Sequence, residues 1–315
     1  MLNLGSCLFR FLLVYVVALG LMGCASATHQ TEAFYSKPTT LPTSTLIDGV
    51  PFVEQQAGHC GPATLTMALN WAGQKATVDE IAPLVMTPGV QGSFQADMLS
   101  AARRRGMIAI PLNGLESLLI EVAAGRPVIV FENLSVKWLP QWHYAIVFGY
   151  DLHKQIVIMH SGPEAGKTWD IRKFERSWML GDYWGLLVLP PGEIAASVGE
   201  FANVKAVAAL EQLGKQDEAE RGYLGILKHW PDSLGANVGA ANVAYSRKNH
   251  RAAVAFLKRA TQAHPHSGMA WHNLAVAHGV LNESQEAKES AKRALSLASP
   301  EQRAKYEISL REWLP

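Results

Sequence analysis

Two residues in the first half of the chain have side chains and local settings suited to nucleophilic catalysis. Cys60 directly precedes residues 61–71, which favour a helix, and a helix N-terminus lowers the pKa of a thiol. His143 starts a β-branched and aromatic run, residues 143–150, that predicts a strand. An imidazole can take the proton of a thiol and later give it to a leaving group. The pair predicts a thiol hydrolase with Cys60 as nucleophile and His143 as general base and acid.

Each of these residues also has a structural interpretation. An isolated cysteine is often a small buried apolar residue. An isolated histidine on a strand is often a structural hydrogen-bonding group. His59 is nearer to Cys60 in sequence, but adjacent side chains at a helix start usually point apart. We therefore favour His143 as the base.

Two motifs surround the candidate pair. Residues 50–63 read VPFVEQQAGHCGPA, and residues 142–151 read WHYAIVFGYD. The cysteine and the histidine are 83 residues apart. Over roughly residues 50–191 the chain resembles the C39-like branch of the papain-type cysteine peptidases, in which Cys-Gly-Pro opens the first helix and the histidine comes later on a strand. The resemblance implies a papain-like fold and peptide-bond hydrolysis through an acyl-enzyme.

The resemblance also implies an oxyanion-stabilising glutamine before the nucleophile. Gln55 matches that position and would act together with the backbone N–H of Cys60. Gln56 is its neighbour and an alternative for the same role. Trp138 and Trp142 are expected to wall the cleft, although aromatic packing in the core explains them equally well.

The third catalytic residue is where this chain departs from the family pattern. Papain-type enzymes orient the histidine with an Asp or Asn roughly 16 to 18 residues later, because one imidazole tautomer must be held in place. This chain has His160, Ser161 and Gly162 there. His160, Ser161 or a backbone carbonyl could serve, whereas Asp151 and Asp170 lie less well. A weak enzyme, a different orienting group and a pseudoenzyme that only binds peptides all remain open.

The surrounding elements follow from patterning and capping. Thr77 and Glu80 form a capping-box start for a second helix. Further helices are predicted at residues 95–105 and 115–124, and strands at residues 127–131, 143–150, 155–159 and 183–189. Helices first and strands afterwards indicate an α+β domain. With the resemblance, this places a C39-like peptidase domain at residues 48–192.

Beyond residue 191 the strand pattern stops and a helical period begins. Pro231 and Pro265 lie 34 residues apart, and Pro300 follows after 35 more. This is the period of the tetratricopeptide repeat, and AWHNLAVAH at residue 270 matches that family's pattern of Trp, Leu and small residues. We predict an all-α tetratricopeptide-repeat domain at residues 197–315, ending in a capping helix. Such an array binds a protein partner on its concave surface or only stabilises the chain.

The N-terminal residues have the pattern of an export signal. Arg10 precedes an apolar run that is shorter than the roughly 20 residues of a spanning helix. The run ends in LMGC, which resembles the lipobox of bacterial lipoproteins. This implies a signal peptide at residues 1–23, a lipid on Cys24 and a site at the outer membrane facing the periplasm. The alternative is an ordinary signal peptide cleaved at Ala-Ser-Ala just beyond. Residues 24–47, rich in Thr, Ser and Pro, predict a flexible tether.

Composition narrows the remaining classes. The chain has 28 Lys and Arg against 27 Asp and Glu, with no dense basic run, so no nucleic-acid partner is expected. If Cys7 leaves with the signal peptide and Cys24 carries lipid, Cys60 is the one remaining thiol and has no internal disulfide partner. The sequence has no phosphate loop, dinucleotide fingerprint or clustered metal-ligand spacing, so no cofactor or metal is expected.

The favoured function is an exported, membrane-anchored cysteine peptidase that acts on a peptide or protein substrate recruited through the repeats. The first alternative is a non-catalytic adaptor that grips a peptide. The second is a cell-wall amidase of the NlpC type, which also uses a cysteine and a histidine. That family usually has a shorter spacing between them and lacks the Cys-Gly-Pro helix start.

Overall fold

The computed structural model describes residues 28–55, 58–87, 89 and 92–313. The expected signal peptide, Cys24 and Gln56 lie outside these residues, so their assignments stay predictions. Within the described ranges, no helix combines the length and the apolar character that crossing a bilayer requires.

An antiparallel sheet forms the centre of the N-terminal half. Its seven described strands are β1 Ser44–Leu46, β2 Ile108–Asn113, β3 Val128–Asn133, β4 Trp142–Asp151, β5 Ile156–Ser161, β6 Glu164–Asp170 and β7 Trp184–Leu189. The strand order is β2-β7-β3-β4-β5-β6, and β1 also pairs with β4. Because β4 lies between β3 and β5, His143 at its start has a neighbouring strand on either side.

Helices cover both faces of this sheet. They are α1 His29–Tyr35, α2 Cys60–Trp71, α3 Val78–Val85, α4 Gln95–Arg104, α5 Leu115–Ala123 and α6 Ile171–Trp178. Helices α2, α3 and α4 bury apolar residues against one face, together with Ile129 and Ile146. Helices α5 and α6 pack on the other face, which carries Val128 and Val147. This alternation follows from the two-residue period of strands, and the predicted α+β class is confirmed.

Local signals identified most of these elements, and among those of the predicted domain, residues 48–192, three were not predicted. The capping box of Thr77 and Glu80 forms as predicted, with both reciprocal hydrogen bonds present. Strand β2 was not predicted because Pro111 interrupts its pattern. Proline is tolerated there because β2 lies at the edge of the sheet. Strand β6 was not predicted because its sequence, EAGKTWD, is polar and contains Gly166. Helix α6 follows it directly, and its N-cap, Asp170, accepts hydrogen bonds from two backbone N–H groups.

The segment before the domain is structured, contrary to the tether predicted for residues 24–47. Helix α1 and strand β1 both fall within that range. The buried carboxylate of Glu175 accepts hydrogen bonds from the backbone N–H groups of Gln30, at 2.9 Å, and Thr31, at 2.8 Å. The Gln30 side chain in turn accepts the N–H of Leu115 at 2.6 Å. The tether prediction is wrong over α1 and β1, because polar anchoring of this kind leaves no hydrophobic period in the sequence.

We expect Glu175→Gln to lower the free energy of unfolding by about 2 kcal/mol, because a hydrogen bond to a charged group is worth roughly 1.5–3 kcal/mol. Urea denaturation measures the loss, and amide hydrogen exchange shows whether α1 opens. Glu301→Gln is the control, since that side chain is 88% exposed. Unchanged protection of α1 in Glu175→Gln would contradict the anchoring role.

Antiparallel helix pairs follow the sheet domain. They are α7 Glu200–Gln212, α8 Gln216–His229, α9 Leu234–Ser246, α10 His250–Ala263, α11 Gly268–Val280 and α12 Ser284–Leu297, followed by α13 Pro300–Ser309. The helices approach closely where the sequence is small: a methyl group at Gly239 would lie 2.2 Å from the Tyr223 ring. The predicted all-α repeat architecture and its final capping helix are confirmed.

The repeat helices pack directly onto the sheet domain. Residues of α7, including Val207 and Leu210, belong to the same apolar core as β2 and α5. The connecting segment is held by hydrogen bonds: Asn203 accepts the N–H of Ala195 at 2.8 Å, and Glu121 accepts the N–H of Ser197 at 2.6 Å. The orientation of the repeats relative to the sheet domain is therefore fixed by packing.

Candidate active site

Cys60 lies at the start of α2, where this helix approaches the sheet and the segment before α4. Cys60 is the first residue of the helix. A methyl group on Gly61 would lie 2.5 Å from Ser93 Oγ, so glycine is required for the segment before α4 to approach. Pro62 lies in the first turn, where a backbone N–H has no partner within the helix. Steric constraints therefore explain the Gly and Pro of the Cys-Gly-Pro motif, in addition to the chemical role predicted for its cysteine.

Cys60 lies in a cleft of about 640 Å³ that also contains His143 and Gln55. The cleft is bordered by aromatic side chains, with Trp142 stacked on Phe131 at a ring separation of 5.0 Å. Trp142 thus lines the cleft as expected. Trp138 does not share that position, because it lies on the β3–β4 loop with 84% of its surface exposed.

The environment of Cys60 opposes ionisation of its thiol. Burial raises the pKa of Cys60 above its ordinary value, although backbone N–H groups of Tyr144, Gly61 and Cys60 itself act in the lowering direction. This reverses the lowered pKa expected from the helix N-terminus alone, because the cost of burying a thiolate exceeds the gain from these donors. At neutral pH the thiol needs a base to become nucleophilic.

His143 is held by a partner from the next strand. Its Nε2 lies 3.1 Å from the hydroxyl oxygen of Ser161. With Nε2 engaged by Ser161, Nδ1 is the ring nitrogen that remains for a proton donor in the cleft. Burial, assisted by the positive charge of Lys167, lowers the pKa of His143 to about 4. Before substrate arrives, the site therefore contains a neutral thiol and a neutral imidazole.

His160 is engaged elsewhere. Its Nε2 lies 3.2 Å from the carbonyl oxygen of Val50, and its Nδ1 accepts the N–H of Gly166 at 3.1 Å. The ring also packs against Phe148 at 4.3 Å. Of the two candidates for the third residue, Ser161 contacts His143, whereas both ring nitrogens of His160 serve structure.

The two remaining carboxylates also have structural partners. Asp151 accepts the N–H of Lys154 at 2.9 Å in the β4–β5 turn. Asp170 caps α6 by accepting the N–H groups of Arg172 and Lys173. Neither carboxylate takes the orienting position.

Gln55 lies on the cleft wall beside α2. Its Nε2 donates to Thr64 Oγ1 at 3.3 Å, and Thr64 Oγ1 donates to the carbonyl oxygen of Tyr144 at 3.2 Å. A side-chain amide carries two N–H bonds, so one remains for a substrate oxygen. This arrangement is compatible with the oxyanion role predicted for Gln55.

Sequence reasoning missed Glu132. This residue is fully buried and lies directly opposite His143 in the β3–β4 ladder. Burial raises the pKa of its carboxyl group to about 7, although the Ser177 hydroxyl and Lys167 act in the lowering direction. The available signal was a single acidic residue directly after four apolar residues in the strand VIVFEN.

Residues 47–183 match the model of the Peptidase_C39 like family. Among curated proteins, no match to this chain is found.

Solved structures provide three further comparisons. A protein described as a C39-like peptidase from Bacillus anthracis shares 18% identity, covers 47% of this chain and 98% of its own, and gives a TM-score of 0.39. The peptidase domain of Streptococcus ComA, described as a bifunctional ABC transporter, shares 20% identity over 45% of this chain and 99% of its own, with a TM-score of 0.38. The repeat protein YrrB shares 18% identity over 36% of this chain and 57% of its own, with a TM-score of 0.33.

Proposed function

We propose that the chain is a cysteine peptidase, with Cys60 as nucleophile and His143 as general base and acid, because residues 47–183 match the model of the Peptidase_C39 like family. One observation carries the proposal. Cys60 and His143 line the same cleft, and Ser161 engages one nitrogen of His143 so that the other is left for the thiol.

The proposed reaction begins when the proton of Cys60 moves to Nδ1 of His143. The thiolate attacks the peptide carbonyl carbon, and the oxyanion receives hydrogen bonds from the Cys60 backbone N–H and from Gln55. The C–N bond then breaks as His143 gives its proton to the departing amine, leaving a thioester on Cys60. His143 next takes a proton from water, and the resulting attack releases the acid and restores the thiol.

The neutral resting state of the pair affects when the nucleophile forms. A buried thiol and a buried imidazole gain little from exchanging a proton unless the resulting charges are stabilised. A developing oxyanion and its donors provide such stabilisation in the transition state. We therefore propose that proton transfer accompanies attack on the substrate. Ser161 orients the ring but, as a neutral group, supports the imidazolium less than an aspartate would.

The lining of the cleft favours apolar substrates. Phe94, Phe131 and Trp142 contribute aromatic surface, and Gln95 and Gln141 contribute neutral polar groups. The described lining residues include no lysine, arginine, aspartate or glutamate. Aromatic walls bury apolar side chains well, whereas an unpaired charge would lose its hydration there. We propose a preference for apolar residues next to the scissile bond.

The remaining parts of the proposal concern location and recruitment. The repeat array would hold a protein partner, because stacked helix pairs of this type form an extended concave surface. A lipid on Cys24 would attach the protein to the outer membrane on the periplasmic side. Both features would bring a substrate to the cleft without changing its chemistry.

The test is hydrolysis of a mixed peptide pool by the purified full chain, followed by mass spectrometry. We expect new termini next to apolar residues, and we expect Cys60→Ala to reduce their formation to background. A chloromethyl ketone on an apolar peptide should modify Cys60 in the wild type. Tight peptide binding without cleavage or modification would contradict the peptidase and support the adaptor. Release of soluble fragments from peptidoglycan would support the amidase.

The adaptor is the second candidate because two observations favour it. The third catalytic residue is a serine instead of a carboxylate or amide, and the pKa of Cys60 is raised. Both features reduce the ease with which a thiolate–imidazolium pair forms.

A further inference from the structure

A buried carboxyl group lies beside the catalytic histidine and has no role in the reaction described above. Glu132 and His143 are direct partners in the antiparallel β3–β4 ladder. Side chains of directly opposed residues project from the same face of the sheet, with Cβ atoms typically about 5 Å apart. Glu132 has no exposed surface. Its carboxyl group therefore lies in the core, on the same face of the sheet as the partly buried His143 imidazole.

Among the described residues, only one of the two carboxyl oxygens of Glu132 has a hydrogen-bond partner. Oε2 accepts the hydroxyl hydrogen bond of Ser177 on α6 at 3.1 Å. Within the part of the chain that the structure describes, Oε1 is buried without a hydrogen-bond partner. A buried acceptor without a partner costs free energy, so its retention in the core of a site calls for an explanation.

We propose that Glu132 is a positioning residue whose carboxylate stabilises the imidazolium of His143, supplying the negative charge that Ser161 cannot. The inference rests on the proposed function, since an imidazolium forms only if His143 takes the proton of Cys60. Ser161 holds the ring through Nε2 from β5, while Glu132 acts on it from β3. The orienting and the charge-stabilising roles of a single carboxylate are thereby divided between two residues on opposite sides of β4.

Other charged or titratable groups near the pair have assigned roles. Lys167 on β6 lowers the pKa of both His143 and Glu132, which shows that one cation influences both groups. Lys167 itself pairs with Glu164 at 2.6 Å. Cys60 approaches from α2 and supplies the proton. The carboxylate of Glu132 thus opposes a positive charge that would otherwise disfavour protonation of His143.

The test measures the alkylation rate of Cys60 by iodoacetamide from pH 5 to 9 in the full chain, with modification located by peptide mass spectrometry. In the wild type we expect the rate to rise in a step centred near pH 7, where Glu132 ionises. In Glu132→Gln the step should be absent and the rate at pH 8 should be roughly tenfold lower, because one pKa unit on His143 is a tenfold change. Glu132→Asp should retain part of the step.

Two further variants keep the test decisive if Glu132→Gln folds poorly. Ser177→Ala removes a hydrogen bond that lowers the pKa of Glu132, so the step should move to higher pH. Glu121→Gln is the matched control, because Glu121 is another fully buried glutamate with one oxygen that has no hydrogen-bond partner among the described atoms, although Arg126 lies 3.7 Å from that oxygen. It should leave the profile unchanged.

The outcomes separate this inference from the proposed function. A step that persists unchanged in folded Glu132→Gln, or stays in place in Ser177→Ala, overturns the role of Glu132 alone. A wild-type rate that shows no step and rises only toward pH 9, as for an isolated thiol, overturns both. A Glu132-dependent step in a chain that cleaves no peptide supports the charge pairing and counts against the peptidase.

Discussion

Replacement of His143 by alanine is expected to slow alkylation of Cys60 at pH 7 by roughly 100-fold and peptide hydrolysis by roughly 1000-fold. Burial raises the pKa of Cys60, so without a base very little thiolate exists at neutral pH. Hydrolysis should suffer more than alkylation, because in the proposed mechanism His143 also protonates the departing amine. The alkylation rate follows from iodoacetamide labelling, and hydrolysis from cleavage of an apolar peptide identified in the pool.

The matched control is His160→Ala. His160 lies on the neighbouring strand and is also largely buried, but its ring nitrogens bind the carbonyl of Val50 and the N–H of Gly166. We expect this variant to lose stability and to retain the reactivity of Cys60. Equal losses of reactivity in both variants would show that the effect of His143→Ala comes from a disturbed fold. That result would contradict the role of His143 as the base.

The second large effect concerns stability against pH. In the folded chain the pKa of His143 is lowered from 6.5 to about 4, so the folded state binds fewer protons between these values and stability rises with pH there. The pKa of Glu132 is raised from 4.5 to about 7, so the folded state binds more protons and stability falls as pH rises through that range. Each shift corresponds to about 3 kcal/mol. Between pH 4.5 and 6.5 the two contributions oppose each other.

Single variants should reveal the separate contributions of Glu132 and His143 to the pH dependence of stability. Relative to the wild type, the free energy of unfolding of Glu132→Gln should rise by about 3 kcal/mol more between pH 4 and 7, because the falling contribution of the carboxyl group is gone. His143→Ala should lack the rising contribution and fall relative to the wild type by a similar amount between pH 4 and 6.5. Urea denaturation followed by tryptophan fluorescence measures both. Parallel curves for all three proteins would contradict the buried, neutral state of the two groups.

The sequence predicted where Cys60 and His143 lie, because the signals of their helix and strand are local. Cys60 stands at a helix start and His143 at a strand start, and both elements form within one or two residues of the predicted bounds. The choice between His160 and Ser161 is not local. Adjacent strand residues point to opposite faces, so the register of β5 on β4 decides which of them faces His143. That register shifts between Val147 and Gly149, and although a glycine within a strand can mark a bulge, it does not determine which residue of β5 then faces His143.

Glu132 escaped for the same physical reason. Its relation to His143 depends on pairing between β3 and β4 across a loop, and residue types alone do not fix the pairing. The predicted direction of the pKa shift of Cys60 was wrong. The position of a residue at a helix start can be predicted from the sequence, whereas its degree of burial depends on the assembled core. The helical repeats were the most predictable part, since their 34-residue period is written directly in the spacing of prolines.

The docking of α1 limits how far the domain can extend from an anchor at Cys24. A free tether over residues 24–47 would reach at most roughly 85 Å when fully extended. With Gln30 and Thr31 bound to Glu175, only about four residues separate the proposed lipid from the folded chain, a span of at most roughly 14 Å. A lipid-anchored form would therefore work as a surface enzyme. Its cleft would stay close to the membrane surface, and a protein from the surrounding compartment would have to diffuse to that surface to reach it.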